Sequence, residues 1–481
     1  MRIVTILRTI GALMCCVGLT MLLPMAVALW YDDSGFLPLA LSMLISAFGG
    51  LALMLFCKKE DAPLSHREGM SITAFGWITC GLVGSLPYIF SGLAPSPADA
   101  LFESFSGFTT TGASIFTNVE LLPRSLLLWR ALTHWLGGMG IIVFSLAILP
   151  FLGFGGMQLY KAETPNPVPD RMHPRIQDAA MLLWQVYILL SVLEFVLLLA
   201  GGMEAFHAVC YTFSTMATGG FAPHAASAGH FSSPYIHWIL VLFMFLGGAN
   251  FALHFRMLRG NIGAYWRNTE FCAYFGLVVL VSVLVAWNIY GVSAHSLEEA
   301  VRHAFFQVVS MCTTTGFFIA DYEQWRPFPQ ALLFLLLFTG GCAGSTSGGV
   351  KVLRYCLLFK LVRRELLRIV HPRVVHLVKF GNLTVSGEAL STAIAFLGLY
   401  ALLYVATSLA LAAMGLDLTT AFSASIACLG NTGAAFGSVG PTEHYAHMPV
   451  AAKLLLSFVM LLGRLEICTL FILFVPEFWR K

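Results

Sequence analysis

The sequence predicts an all-α polytopic membrane protein: two leading transmembrane helices, then four repeats of helix, half-helix, polar run and helix. Three observations predict it. Of 481 residues, 58% are hydrophobic and 11% charged, too apolar a balance for a soluble chain of this size. Ten apolar stretches approach the roughly 20 residues that cross a bilayer, near 9–30, 36–57, 71–91, 126–152, 179–201, 235–255, 271–293, 329–350, 389–414 and 450–476. Between them lie four polar runs that end in Gly, namely 106–112, 214–219, 310–316 and 428–433, whose last glycines are 107, 97 and 117 positions apart.

The first stretch follows Arg2 and Arg8 but is too long for a signal peptide. No small-x-small cleavage site precedes Tyr31, Asp32 and Asp33, so it reads as a retained helix. With the N-terminus inside, the inner segments hold 21 Lys and Arg against three outside, Arg124, Arg302 and Arg326. The positive-inside rule then places both termini in the cytoplasm. The outer segments carry twelve acids, among them Asp99, Glu103, Glu120, Asp321, Glu323, Asp417 and Glu443, a balance of 3 − 12 = −9. Such a field attracts cations, although any one acid reads equally well as a solvated loop or cap residue.

Each polar run follows a segment too short to span. Ser96-Pro97 reads as an N-cap with Pro at N1, Ser296 with Glu299 as a capping box, and Asp417 as an N-cap acid. The helices they start run about 12 residues, roughly 18 Å at 1.5 Å per residue, and stop inside the bilayer. Their C-termini carry about half a negative charge each and point at the interior. The run beyond each is not helix, and such backbone is tolerated at membrane depth only where it lines a protein-enclosed or watery cavity. Four such ends around one cavity favour a cation.

The spans that follow hold a second repeat, Leu136-Gly137-Gly138, Leu246-Gly247-Gly248, Thr339-Gly340-Gly341 and Leu462-Gly463-Arg464, where paired glycines also suit close helix packing. The segment Thr339–Lys351 has five Gly and three hydroxyl residues between Gly340 and Gly349, too many for a stable helix, so its span breaks there. It is not a phosphate loop, because Val350 separates Gly349 from Lys351 and no βαβ unit surrounds it. The 11 Cys lack metal-ligand spacing and read as small buried hydrophobes. The resulting division is 1–68 leading helices, 69–153 first repeat, 154–177 Pro-rich inner linker, 178–258 second repeat, 259–350 third repeat with its break at 339–350, 351–385 basic helix and linker, and 386–481 fourth repeat.

These motifs, in this order, resemble the membrane subunit of the Trk/Ktr/HKT superfamily of potassium transporters, most closely its bacterial TrkH branch, over essentially the whole chain. The resemblance implies a pseudo-fourfold, potassium-channel-like fold in one polypeptide and K+ as the transported ion. It places a selectivity filter at Thr110, Thr111, Gly112, Thr218, Gly219, Thr314, Thr315, Gly316, Asn431, Thr432 and Gly433. Rings of backbone carbonyls there would replace the hydration shell of potassium, and pointing them inward needs angles that Gly adopts freely. No repeat has a full TVGYG, so fewer ion sites are expected. The resemblance also makes the Gly-rich break a gate under the filter, built from Gly340, Gly341, Gly344, Ser345, Thr346, Ser347, Gly348 and Gly349 and facing Arg464. An ionisable residue inside a span is functional by default, while local pairing of Arg464 between helices is the structural alternative. Further implications are a homodimer, a bacterial inner-membrane location and a cytosolic TrkA-type nucleotide-binding regulatory subunit. The basic segment 351–379 suits that partner or membrane lipids equally.

Two other functions compete. A membrane enzyme needs convergent acid, base or metal groups, yet HExxH and GxSxG are absent and His134, His207, His224 and His303 are scattered. A proton- or sodium-coupled symporter would place its sites on broken helices of inverted repeats, whereas these repeats share one orientation and favour a pore.

Overall fold

The computed structural model describes residues 2–57, 65–140, 176–371, 378–381, 383–385 and 387–479. Among these described residues, six helical segments are long and apolar enough to cross a membrane: Ile3–Tyr31, Phe36–Phe56, Arg67–Ser91, Met181–Ala200, Thr269–Ile289 and Leu390–Ala413. The first is two helices, Ile3–Thr20 and Leu22–Tyr31, and Pro24 lacks the N–H that would bond back to Thr20. Residues 154–175 of the linker lie outside the described residues.

The other four expected spans are not continuous helices. Arg124–Gly138, Pro234–Gly247, Pro327–Leu336 and Val450–Arg464 each stop beside the glycines of the second repeat. Pro234–Gly247 resumes as Phe251–Leu258 after a bend of 103°. Their glycines meet backbone. A side chain on Gly137 would strike the Phe108 carbonyl and one on Gly463 the Leu429 carbonyl, each the last residue of a half-helix. The paired glycines therefore do serve close packing, and what packs there is the half-helix end.

The half-helices are Pro97–Phe108, Ala205–Met216, Leu297–Cys312 and Leu418–Leu429. Ser96, Ser296 and Asp417 cap three of them, accepting the N–H of Asp99, Glu299 and Thr420 at 3.2, 3.1 and 3.0 Å. At the third start, Glu299 reaches back to the N–H of His295, one residue before the cap, and not to Ser296 as a closed capping box requires. Each half-helix packs on the span before it, and three pack, in cyclic order, on a neighbouring repeat: the second on Arg124–Gly138, the third on Pro234–Gly247, the first on Val450–Arg464, while Tyr322 of the third repeat bonds the Ala435 carbonyl of the fourth at 2.6 Å. This closes the four repeats into a ring.

On the opposite, basic face, helix Val352–Val370 leads to a two-residue hairpin, Lys379–Phe380 against Leu383–Thr384. Leu353 and Leu357 join Val378, Val385 and Leu390 in a small core. Phe359, Leu366 and Ile369 farther along stay exposed.

Candidate functional site

All four half-helices end in the same turn. One residue beyond the closing residue, Thr110, Thr218, Thr314 and Asn431 take a left-handed backbone, with φ of 53°, 52°, 57° and 57°. Their N–H groups bond the carbonyls of Gly107, Thr215, Met311 and Cys428. The next N–H groups, of Thr111, Gly219, Thr315 and Thr432, bond those of Ser106, Ser214, Ser310 and Ala427. That pair of bonds is the Schellman ending, which usually carries Gly at the left-handed position. Here three are β-branched Thr, a conformation costing of the order of 1–3 kcal/mol each and held only by surrounding structure. Gly is thus not the only residue whose angles shape the run.

Two residues farther on, Gly112, Gly220, Gly316 and Gly433 have φ of 80°, 86°, 81° and 78°. The second run is therefore displaced by one residue from the expected alignment. Gly220 stands where Gly112, Gly316 and Gly433 stand, and Gly219 takes the place of Thr111, Thr315 and Thr432. The ring of His134 fills the space a side chain on Gly219 would need and stacks on Phe221 at 4.2 Å.

The four glycines form a closed cycle. A Cβ on Gly112 would collide with the carbonyl oxygen of Gly219, one on Gly220 with Thr315, one on Gly316 with Thr432, and one on Gly433 with Thr111. Each run thus touches the next through backbone, first to second to third to fourth to first. Among the described residues, the carbonyls of Gly112, Gly220 and Gly316 accept no hydrogen bond. Oxygen atoms left free on a ring are ligands for a hard cation or for water.

Behind the ring sit two of the outer acids, which the sequence left open as part of a cation-attracting field or as solvated loop and cap residues. Glu103 is fully buried and pairs with Arg130 at 2.7 Å. Its carboxylate also accepts the N–H of Ile115 at 2.9 Å, and Arg130 lies over Phe221 at 4.1 Å. Asp99 is held by buried Lys453 at 2.5 Å. Two of the twelve outer acids are neutralised by cations from the spans. A cavity of about 110 Å³ opens above the glycines, lined by Gly112, Gly220, Gly316, Gly433, Arg130, His224, Glu443 and Tyr445. At its rim His224 Nε2 meets His207 Nδ1 at 2.7 Å and stacks on His230, so these histidines are gathered rather than scattered.

Under the ring, helix stops at Leu336 and resumes at Val352, as the glycine content predicts. Gly340 N–H bonds Val350 O at 2.8 Å and Phe251 N–H bonds Gly344 O at 3.1 Å. Gly341 N–H bonds Ser347 Oγ, and Ser345 and Ser347 share a bond, both at 2.8 Å. Gly344 and Gly349 have φ of 75° and 62°. The segment docks on the left-handed residues above it: Gly348 N–H donates to Thr314 Oγ1 at 2.8 Å, and Thr346 Oγ1 donates to the carbonyls of Met216 and Gly247 at 3.0 and 3.1 Å. A side chain on Gly348 would strike Gly430 O and Asn431.

Arg464 joins three elements. Its Nη1 donates to Thr346 O at 2.7 Å, while Nη2 donates to Gly137 O and, at 2.9 Å, to Gly138 O. Glu466, close by in sequence, pairs instead with Arg354. Lys351 reaches the Ser347 carbonyl, and Glu270 accepts the N–H groups of Ala343 and Leu353 at 2.7 and 3.1 Å. Sequence reasoning missed Glu270, whose one clue was an acid near the start of an apolar span. A cavity of about 120 Å³ below is lined by Trp77, Gly138, Ser345, Ser347, Lys351, Arg464 and Glu466.

Comparison with known proteins gives the family. A family model described as TrkH, cation transport protein, matches residues 39–275 and 270–481. The chain is 43% identical to the Trk system potassium uptake protein TrkH of Salmonella typhimurium, over 99% of both chains. It is 34% identical to Trk system potassium uptake protein TrkG of Escherichia coli, over 100% of this chain and 99% of the other. Among solved structures it matches that of the potassium transporter TrkH from Vibrio parahaemolyticus with a TM-score of 0.90 and 38% identity, over 100% of both chains. The chain is a multi-pass membrane protein and belongs to the TrkH family of cation transport proteins.

Proposed function

We propose that this chain takes up potassium through the axis of its four half-helices, with the ring of Gly112, Gly220, Gly316 and Gly433 and the carbonyls beneath it as the selectivity filter. One observation carries this reading: each ring glycine abuts the carbonyl of the next run, so no side chain fits and the four runs close on one another through backbone alone. The relatives' names supply the ion, being potassium uptake proteins. The segment 340–349, pinned by Arg464, is the gate below it. The subunit sits in a bacterial inner membrane as a homodimer with both termini cytoplasmic. The uncovered apolar and basic side of Val352–Val370 docks a cytosolic TrkA-type nucleotide-binding regulator.

A coupled mode draws on one observation. Glu194 is fully buried in the span Met181–Ala200, and among the described residues neither carboxyl oxygen has a hydrogen-bond partner, which makes it a candidate carrier of a coupled proton.

Purified protein in proteoliposomes, with K+, Rb+ and Na+ gradients imposed and the proton gradient clamped or free, separates these readings. Uniport predicts K+ flux independent of the proton gradient. Gly112→Ser, whose side chain must displace the Gly219 carbonyl, should raise Na+ relative to K+ permeability by about tenfold or more, because displacing one carbonyl of a ring is comparable to losing a charge-assisted bond. Unchanged selectivity in folded Gly112→Ser protein removes Gly112 from the filter.

A further inference from the structure

The four runs are alike in turn and in glycine, but the fourth differs in what its carbonyls do. The Gly433 carbonyl accepts the hydroxyl of Tyr445 at 2.6 Å. The Thr432 carbonyl before it accepts the N–H of Ala434 at 3.0 Å. The Ala435 carbonyl after it accepts the hydroxyl of Tyr322, also at 2.6 Å. The equivalent carbonyls of Gly112, Gly220 and Gly316 carry no such donor among the described residues.

Tyr445 is itself fixed. It is buried, its N–H donates to Ser114 O at 2.9 Å, and its ring packs on Phe102 at 5.3 Å. The hydroxyl is therefore presented to Gly433 by a rigid anchor spanning the first and fourth repeats.

Resting on the filter reading above, we propose that Tyr445 is a specificity-positioning residue that makes the ring three free carbonyls and one tethered carbonyl. A donated hydrogen bond occupies one lone pair and draws charge from the oxygen, leaving the other for the ion. The tether also fixes how far that oxygen follows a smaller cation inward. Rings that shrink freely accommodate sodium, and a pinned member resists shrinkage.

The test is ion selectivity in proteoliposomes, a ratio independent of how much protein folds. Tyr445→Phe, which keeps the ring and its packing, should lower the K+ to Na+ permeability ratio by about fivefold, the equilibrium equivalent of one net hydrogen bond. 3,5-Difluorotyrosine at 445, a stronger donor of nearly the same shape, should move the ratio the opposite way and covers the case in which the phenylalanine protein does not fold. Wild-type ratios in the folded variants overturn the proposal. If Gly112→Ser alters selectivity while they do not, the filter stands and the tether falls. If Gly112→Ser is also without effect, the filter reading itself has failed.

Discussion

Replacing Arg464 with Ala should open the pore. Among the described residues, Arg464 bonds the Gly-rich segment through Nη1, which donates to Thr346 O at 2.7 Å. Its bonds to Gly137 and Gly138 tie the last span to the first repeat and do not change if only the segment moves. The gating contribution is therefore one charge-assisted bond, about 1.5–3 kcal/mol, together with the repulsion of a fixed positive charge beside the path. Losing the bond alone shifts an open–closed equilibrium by roughly ten- to a hundredfold, since each 1.4 kcal/mol is about tenfold. The assay is basal Rb+ uptake into proteoliposomes without any cytosolic partner, normalised to folded protein by size-exclusion and thermal unfolding. Thr346→Val is an informative companion. It removes the hydroxyl bonds to Met216 and Gly247 but keeps the carbonyl that Arg464 holds, so its flux should rise less. Basal flux that is unaltered or lower in folded Arg464→Ala protein refutes the gate, and the break becomes a hinge or packing feature.

Two other outcomes follow from charge placement. Reversing Arg363, Arg364 and Arg368 to Glu should weaken binding of a cytosolic regulatory ring at least about tenfold in titration with purified partner, whereas wild-type binding leaves that helix as a lipid anchor. Burial and the neighbouring His207 and His230 push His224 down to about 4, against the opposing pull of Glu120. Its ordinary value is 6.5. Above pH 6.5 it is neutral folded or unfolded and its contribution to stability is intact. Between 6.5 and about 4 only the unfolded chain takes up the proton, so stability falls across that window. Unfolding temperature measured from pH 7.5 to 4.5 should decline, and His224→Gln should flatten the decline. An identical pH profile in that variant assigns the decline to groups other than His224.

Much of the architecture was legible because its signals are local. Ser96-Pro97 and Asp417 start half-helices through side chains that bond the next turn, and the glycines between 340 and 349 forbid helix wherever they lie. The register of the second run was not legible. Thr218-Gly219-Gly220 offers two glycines, and the choice depends on His134, 85 positions earlier, filling the side-chain space of Gly219. The left-handed Thr110, Thr218 and Thr314 run against propensity, so only the surrounding ring reveals them. Glu103 and Arg130 looked like an outer acid and an unremarked span residue because a buried ion pair between two elements leaves no periodic trace. Three of the four broken spans read as continuous, all but the one interrupted by the glycines of 340–349, because hydropathy counts apolar residues and is blind to where a neighbouring backbone must approach.

The central claim is that the four runs surround a cation. Crystals or vitrified particles prepared in Rb+ or Tl+ in place of K+ test it most directly, through anomalous or difference density along the ring axis. The account predicts density on that axis within coordination distance of the carbonyls of Thr111, Gly219, Thr315 and Thr432 or of Gly112, Gly220, Gly316 and Gly433, diminished in Gly112→Ser protein. An axis without ion density in well-ordered wild-type protein soaked in either cation would contradict it.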